Sequence, residues 1–173
     1  MKVLILFATI EGQTGKIARF AQAEVEALGH ETVLANADDP MELTFHDIDA
    51  VILAAPVHER RHPQNFEALL SVRKDELAAR KVLMLSVSLN AAFPEGRDEA
   101  KEYLVEMKLR TGLQADTEML VAGAVRSSQY DYFATQVVQH VVMRNREYDA
   151  NAEEHEFTDW DALKAGIDGF LAQ

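Results

Sequence analysis

A doubly wound α/β domain, a parallel sheet with helices on both faces, is the fold this sequence predicts. Three features predict it: strand-length runs that are apolar at nearly every position, helical periodicity between those runs, and a polar, glycine-bearing turn where the first run gives way to the first helix. A strand with apolar side chains on both faces is a strand covered on both faces, as parallel sheets are.

The elements follow in order. "MKVLILFA" is the first strand, and "KIARFAQAEVEALG" the first helix, with Ile17, Phe20, Ala21, Val25 and Leu28 at helical spacing and Gly29 as the stop. "ETVLANA" is the second strand, followed by a short helical piece after Pro40; "DAVILAAP" is the third strand, and Pro63 suits the first position of the helix after it. "KVLMLSVSL" is the fourth strand. "EGRDEAKEYLVEMKLRTG" is a helix with Tyr103, Leu104 and Met107 inward, and "TEMLVAGAV" is the fifth strand. An excursion at about 126–156 then interrupts the rhythm, and a long excursion in a compact domain has its own structure or a job. Within it Tyr130, Phe133, Val137, Val138 and Val141 fall at helical offsets. "FTDWDALKAGIDGFLAQ" closes the chain, with Thr158 as cap and Trp160, Leu163, Ile167 and Phe170 on one face.

The 173 residues read as one domain, 1–173, long enough to bury a substantial core. Seventeen Lys and Arg against twenty-nine Asp and Glu leave a formal charge of −12, which repels nucleic-acid phosphates and argues against that partner. With no cysteine there is no disulfide, thiolate metal site or cysteine nucleophile, and the expectation is a cytoplasmic protein, at most peripheral at the inner face of the membrane. The amino-terminal apolar run is short and leads into Glu11 and Gly12, which reads as a buried strand and not a secretory signal. No stretch reaches membrane-spanning length.

"VHERRHP" at 57–63 contains the bare His-Glu-x-x-His pattern of zinc proteases. That chemistry requires a helix to bring both histidines to one metal. Here a strand ends just before the motif and a helix opens just after it, so His58 belongs to a loop and His62 to the helix cap, and no shared metal is expected. A zinc hydrolase is the least favoured reading.

In a doubly wound sheet, ligands bind beyond the carboxyl ends of the strands where strand order reverses. The first such loop, "TIEGQTG", supplies hydroxyls, a glycine and free N–H groups at a helix start, which together make a phosphate cradle built on backbone dipoles. A nucleotide P-loop fails here because Ile10 and Ile17 stand where Gly and Ser or Thr are needed, and the dinucleotide fingerprint lacks its glycines. The loop suits a single phosphomonoester.

The stretches "LILFATIEGQTGKIA", "SVSL" at 86–89, "AGAVR" at 122–126 and "FTDW" at 157–160 resemble the flavodoxin-like family, in its menaquinone-dependent protoporphyrinogen dehydrogenase branch. The resemblance implies a five-stranded parallel sheet in the order 2-1-3-4-5 and FMN as cofactor. It implies that Thr9, Ile10, Glu11, Gly12, Gln13 and Thr14 hold the phosphate. It further implies that Pro56, Val57, His58, Glu59 and Arg60, with Ser88, Leu89, Asn90, Ala91 and Ala92, flank the flavin ring, where His58 and Glu59 tune or gate it or simply form a solvated pair. Neither ring loop holds a tryptophan or tyrosine, so stacking through them is excluded and a ring face is left open to substrate. Expected partners are a quinone or redox-protein acceptor and a porphyrinogen substrate; no side chain is assigned as acid or base. The alternative is a flavodoxin-type electron-transfer protein without its own substrate. The excursion carries only Arg126, Arg144 and Arg146 as cations and ends in acidic residues from Asp149 to Glu156, so it offers no polybasic membrane anchor.

Overall fold

The computed structural model describes residues 1–39, 42–126 and 154–173. Five strands, β1 (Lys2–Phe7), β2 (Glu31–Asn36), β3 (Ala50–Pro56), β4 (Lys81–Ser88) and β5 (Thr117–Ala122), form one parallel sheet in the order β2-β1-β3-β4-β5. The helices are α1 (Gln13–Ala27), α2 (Gln64–Val72), α3 (Lys74–Ala78), α4 (Arg97–Thr111) and α5 (Trp160–Ala172). Strand alternation sorts the core into two layers. Val3, Ile5 and Phe7 of β1 join Ile17, Ala21 and Val25 of α1 and Leu163, Ile167 and Phe170 of α5 on one side. Leu4 and Leu6 meet Phe66 and Leu70 of α2 and Leu104 and Met107 of α4 on the other. Each central strand serves both layers, which is why its sequence shows no polar alternation.

Four local expectations change. Residues 42–49 form no helix; Phe45 and Ile48 are buried as an irregular plug, and the Arg80 guanidinium donates to both of their carbonyls at 2.8 and 3.0 Å. Pro63 is the cap of α2 and not its first helical residue, because its ψ of 137° is extended. The fifth strand stops at Ala122. Beyond Gly123 the chain forms β6 (Ala124–Arg126), which leaves the sheet and pairs antiparallel with β7 (Glu154–Glu156). Asp159 caps α5, its side chain accepting from Ala162 N–H at 3.0 Å, because Thr158 is used elsewhere. The helical offsets from Tyr130 to Val141 lie outside the described residues. Among the described residues no helix is long and apolar enough to cross a membrane.

Candidate functional site

Since β1, β3 and β4 are parallel neighbours, the loops that follow them emerge at one edge of the sheet, with the reversal of strand order at β1. The first loop is organised by two contacts: Gly12 N–H donates to Thr9 Oγ1 at 3.0 Å, and Lys16 N–H to the Gly12 carbonyl at 3.1 Å. Gly12 caps α1 with φ of 95°, a left-handed conformation that strains any residue with a Cβ. The N–H groups of Thr14 and Gly15, which head the helix, meet no acceptor among the described residues. Thr14 is 2% exposed, and its hydroxyl also makes no hydrogen bond among the described residues. The first turn of α1 has no acidic residue. This donor set, backed by the helix dipole, suits a phosphomonoester.

The loop after β3 is a tight hairpin turn. His58 and Arg61 exchange both backbone hydrogen bonds, at 2.9 and 3.2 Å, and the central Glu59 and Arg60 have φ of 50° and 67°. That is a type I′ turn, whose left-handed positions favour Gly and Asn, here built from two long charged residues. Arg60 leans across to α4, 3.2 Å from Glu99 and over the Tyr103 ring at 5.7 Å. Burial and the hydrogen bond to Glu99 push the Tyr103 phenol up to about 12. The base of the turn is fastened by Val57 N–H donating to the Val87 carbonyl at 2.8 Å, so that amide is spent on β4.

The loop after β4 is a pair of 3₁₀ turns, Asn90–Ala92 and Pro94–Gly96. Ser88 Oγ accepts from Ala91 N–H at 3.2 Å, and the Arg97 guanidinium donates to the Ala91 carbonyl at 3.1 Å. Gly96 is required by close approach, for a Cβ there would sit 2.5 Å from the Asn90 carbonyl oxygen.

Below the hairpin turn lies a buried polar group that sequence reasoning did not assemble. Glu67 of α2 receives Arg61 at 2.9 Å and Arg110 of α4 at 2.5 Å. His62, 1% exposed, is 2.9 Å from Ser86 Oγ through Nε2, while its Nδ1 is buried without a partner among the described residues. Burial lowers its pKa to about 4, with Glu67 opposing and Arg110 reinforcing the shift. A proton on Nδ1 would be a buried donor with no acceptor, so the ring is neutral. The two histidines of the protease-like pattern therefore go separate ways, one to an exposed turn and one to the core. The only sequence signal for Glu67 was its position between the buried Phe66 and Leu70.

The remaining wall is the β6–β7 ribbon. Phe157 packs edge-on against Phe93 with ring centroids 5.5 Å apart. Gly123 donates to the Ser88 carbonyl at 3.1 Å and accepts from Phe157 N–H at 3.0 Å, which ties the ribbon to the loop after β4. Thr158 Oγ1 donates to the Ala122 carbonyl at 2.6 Å and accepts from Gln13 Nε2 at 3.0 Å, which ties it to α1.

Comparison with known proteins adds four findings. The family model described as flavodoxin domain matches residues 4–152. The chain is 25% identical over 164 residues to protoporphyrinogen IX dehydrogenase [quinone] of Escherichia coli strain K12, covering 94% of this chain and 91% of that one. Among solved structures, flavodoxin 1 of Bacillus cereus superposes with a TM-score of 0.60 at 16% identity, covering 100% and 99% of the two chains. A Fusobacterium nucleatum flavodoxin variant bound to flavin mononucleotide gives 0.53 at 12% identity, covering 99% and 94%. At those identities the structural likenesses speak for the fold alone.

Proposed function

Because the chain belongs to the flavodoxin domain family, we propose that it is an FMN-binding oxidoreductase that oxidises a substrate of the porphyrinogen class and passes the electrons to a quinone or redox-protein acceptor. The observation that carries the cofactor is the head of α1, where Thr9, a left-handed Gly12 and a Thr14 whose N–H and hydroxyl meet no partner among the described residues converge at the point of strand reversal. The substrate class follows from the likeness to the quinone-dependent protoporphyrinogen dehydrogenase.

In this reading Thr9 to Thr14 hold the phosphate, and the loops at Pro56–Arg60 and Ser88–Ala92 hold the ring. FMN, when bound, supplies the electron transfer, accepting from an organic substrate and returning to an acceptor. The protein's part is to place and expose the ring. The turn at His58–Arg61 is held rigid by paired backbone hydrogen bonds and by Arg61 on Glu67. Neutral His62 adds no positive charge beneath it. The missing aromatic plates in both loops leave room for a flat substrate. We expect the protein in the cytoplasm, meeting a quinone-bearing membrane only at its surface.

The test is an absorbance spectrum of the protein with and without added FMN, followed by titration of Thr14→Ala and Gly12→Asp. Losing a hydrogen bond to a charged phosphate costs about 1.5–3 kcal/mol, so Thr14→Ala should weaken FMN at least roughly tenfold. No flavin binding at micromolar concentration refutes the proposal. Flavin binding without turnover of porphyrinogen or quinone leaves the electron-transfer protein as the better reading.

A further inference from the structure

Glu156 lies outside the residues expected to hold the cofactor, yet its carboxylate is drawn to the first turn of α1. Oε2 accepts from Lys16 Nζ at 2.5 Å and from Gln13 Nε2 at 3.2 Å, while Oε1 accepts from Trp160 Nε1 at 2.7 Å. Lys16 also stands 5.3 Å over the Trp160 ring. Burial pushes the Glu156 carboxyl up, but hydrogen bonds from Lys16, Trp160 and Gln13 outweigh it and hold the group below its usual range. It is therefore an anion at neutral pH, seated beside a helix start where Thr14, a residue 2% exposed, has a hydroxyl without a hydrogen-bond partner among the described residues.

A helix N-terminus favours an anion, and a lysine and an amide on its first turn are the side-chain donors best placed to add to that preference. Here both are already turned to an anion of the chain's own. We infer that Glu156 is an internal competitor for the cofactor phosphate, holding Lys16 and Gln13 on the β6–β7 ribbon and thereby lowering the affinity of the site for FMN. The inference rests on the FMN reading above. Because Phe157, the next residue, packs on Phe93 in the loop after β4, the same contact ties cofactor affinity to the position of the ribbon. A carboxylate near a phosphate dianion also repels it directly, an effect that falls with salt. A purely structural tie predicts the opposite sign, since loosening Gln13 and Lys16 would then weaken binding.

The experiment measures dissociation constants for FMN and for riboflavin, which lacks the phosphate, by flavin fluorescence quenching in wild type, Glu156→Gln and Lys16→Gln. The expected result is that Glu156→Gln binds FMN roughly fivefold tighter at low salt, as one charge removed from beside a dianion implies. The gain should shrink in high salt, and riboflavin should be unchanged. Lys16→Gln, which leaves the carboxylate uncompensated, should weaken FMN and spare riboflavin. Melting temperatures establish that the variants are folded, and Glu156→Ala, which removes the same charge and should also tighten FMN, decides the sign if Glu156→Gln is not. Equal or weaker FMN binding in Glu156→Gln, or an equal change for riboflavin, overturns the inference while leaving the cofactor reading intact. A wild type that binds neither flavin sinks both together.

Discussion

His62 makes the stability of this protein acid-sensitive in a defined window. The unfolded chain binds the imidazole proton with the ordinary pKa of 6.5, the folded chain only at about 4, so protons favour unfolding between those values. The stabilisation is complete above pH 6.5, declines as pH falls toward 4, and changes no further below that. At 1.36 kcal/mol per tenfold difference in proton affinity, the full loss is about 3 kcal/mol, a large share of a domain's stability. The structural cause is specific: Nε2 is engaged by Ser86 and Nδ1 has no partner among the described residues, so the charged ring has a donor it cannot satisfy. The assay is urea unfolding at a series of pH values, followed by the fluorescence of Trp160, the one tryptophan, in wild type and in His62→Gln. Glutamine keeps a polar atom for Ser86 and does not titrate. Carboxylates titrate in both chains and cancel in the difference. Wild-type stability should fall by about 3 kcal/mol more than the variant's between pH 6.5 and 4. Parallel profiles would refute the reasoning.

Three further outcomes are expected. Replacing Glu59 with Asn and Arg60 with Gly suits the left-handed positions of the turn and loses exposed charge contacts, Arg60 on Glu99 and over the Tyr103 ring and Glu59 near His58. The melting temperature should therefore rise, by about 1 kcal/mol of stability, and a fall would show that Arg60 on Tyr103 matters more than backbone strain. Arg110→Ala leaves the buried Glu67 carboxylate with Arg61 alone and should cost roughly 2 kcal/mol in denaturant titrations, with a smaller loss for Arg110→Lys. Gly96→Ala drives a Cβ into the Asn90 carbonyl, so it should shift the 90–92 turn; amide chemical shifts there should move, and an unperturbed turn would mean that the close approach is not tight.

The sequence alone determined the layers and the order in which they are built. Apolar runs at strand length, separated by helix-period segments, admit few arrangements other than a parallel sheet covered on both sides, and the turn from Thr9 to Thr14 announces an anion site by local chemistry. The resemblance supplied the strand order. What local pattern could not carry was decided by contacts between distant residues. Gln13 meets Glu156 across 143 positions, and Glu67 meets Arg110 across 43. No periodicity in either segment reports the other. The same holds for the break at Gly123, where apolar residues on both sides look like one strand until the carbonyl of Ser88 and the N–H of Phe157 claim the glycine's backbone. Thr158, a good cap by composition, is taken by Ala122 and Gln13, and Asp159 caps α5 instead. Propensity and periodicity are properties of neighbours in the chain, whereas burial and the pairing of charge are properties of neighbours in space, and the site is made of both.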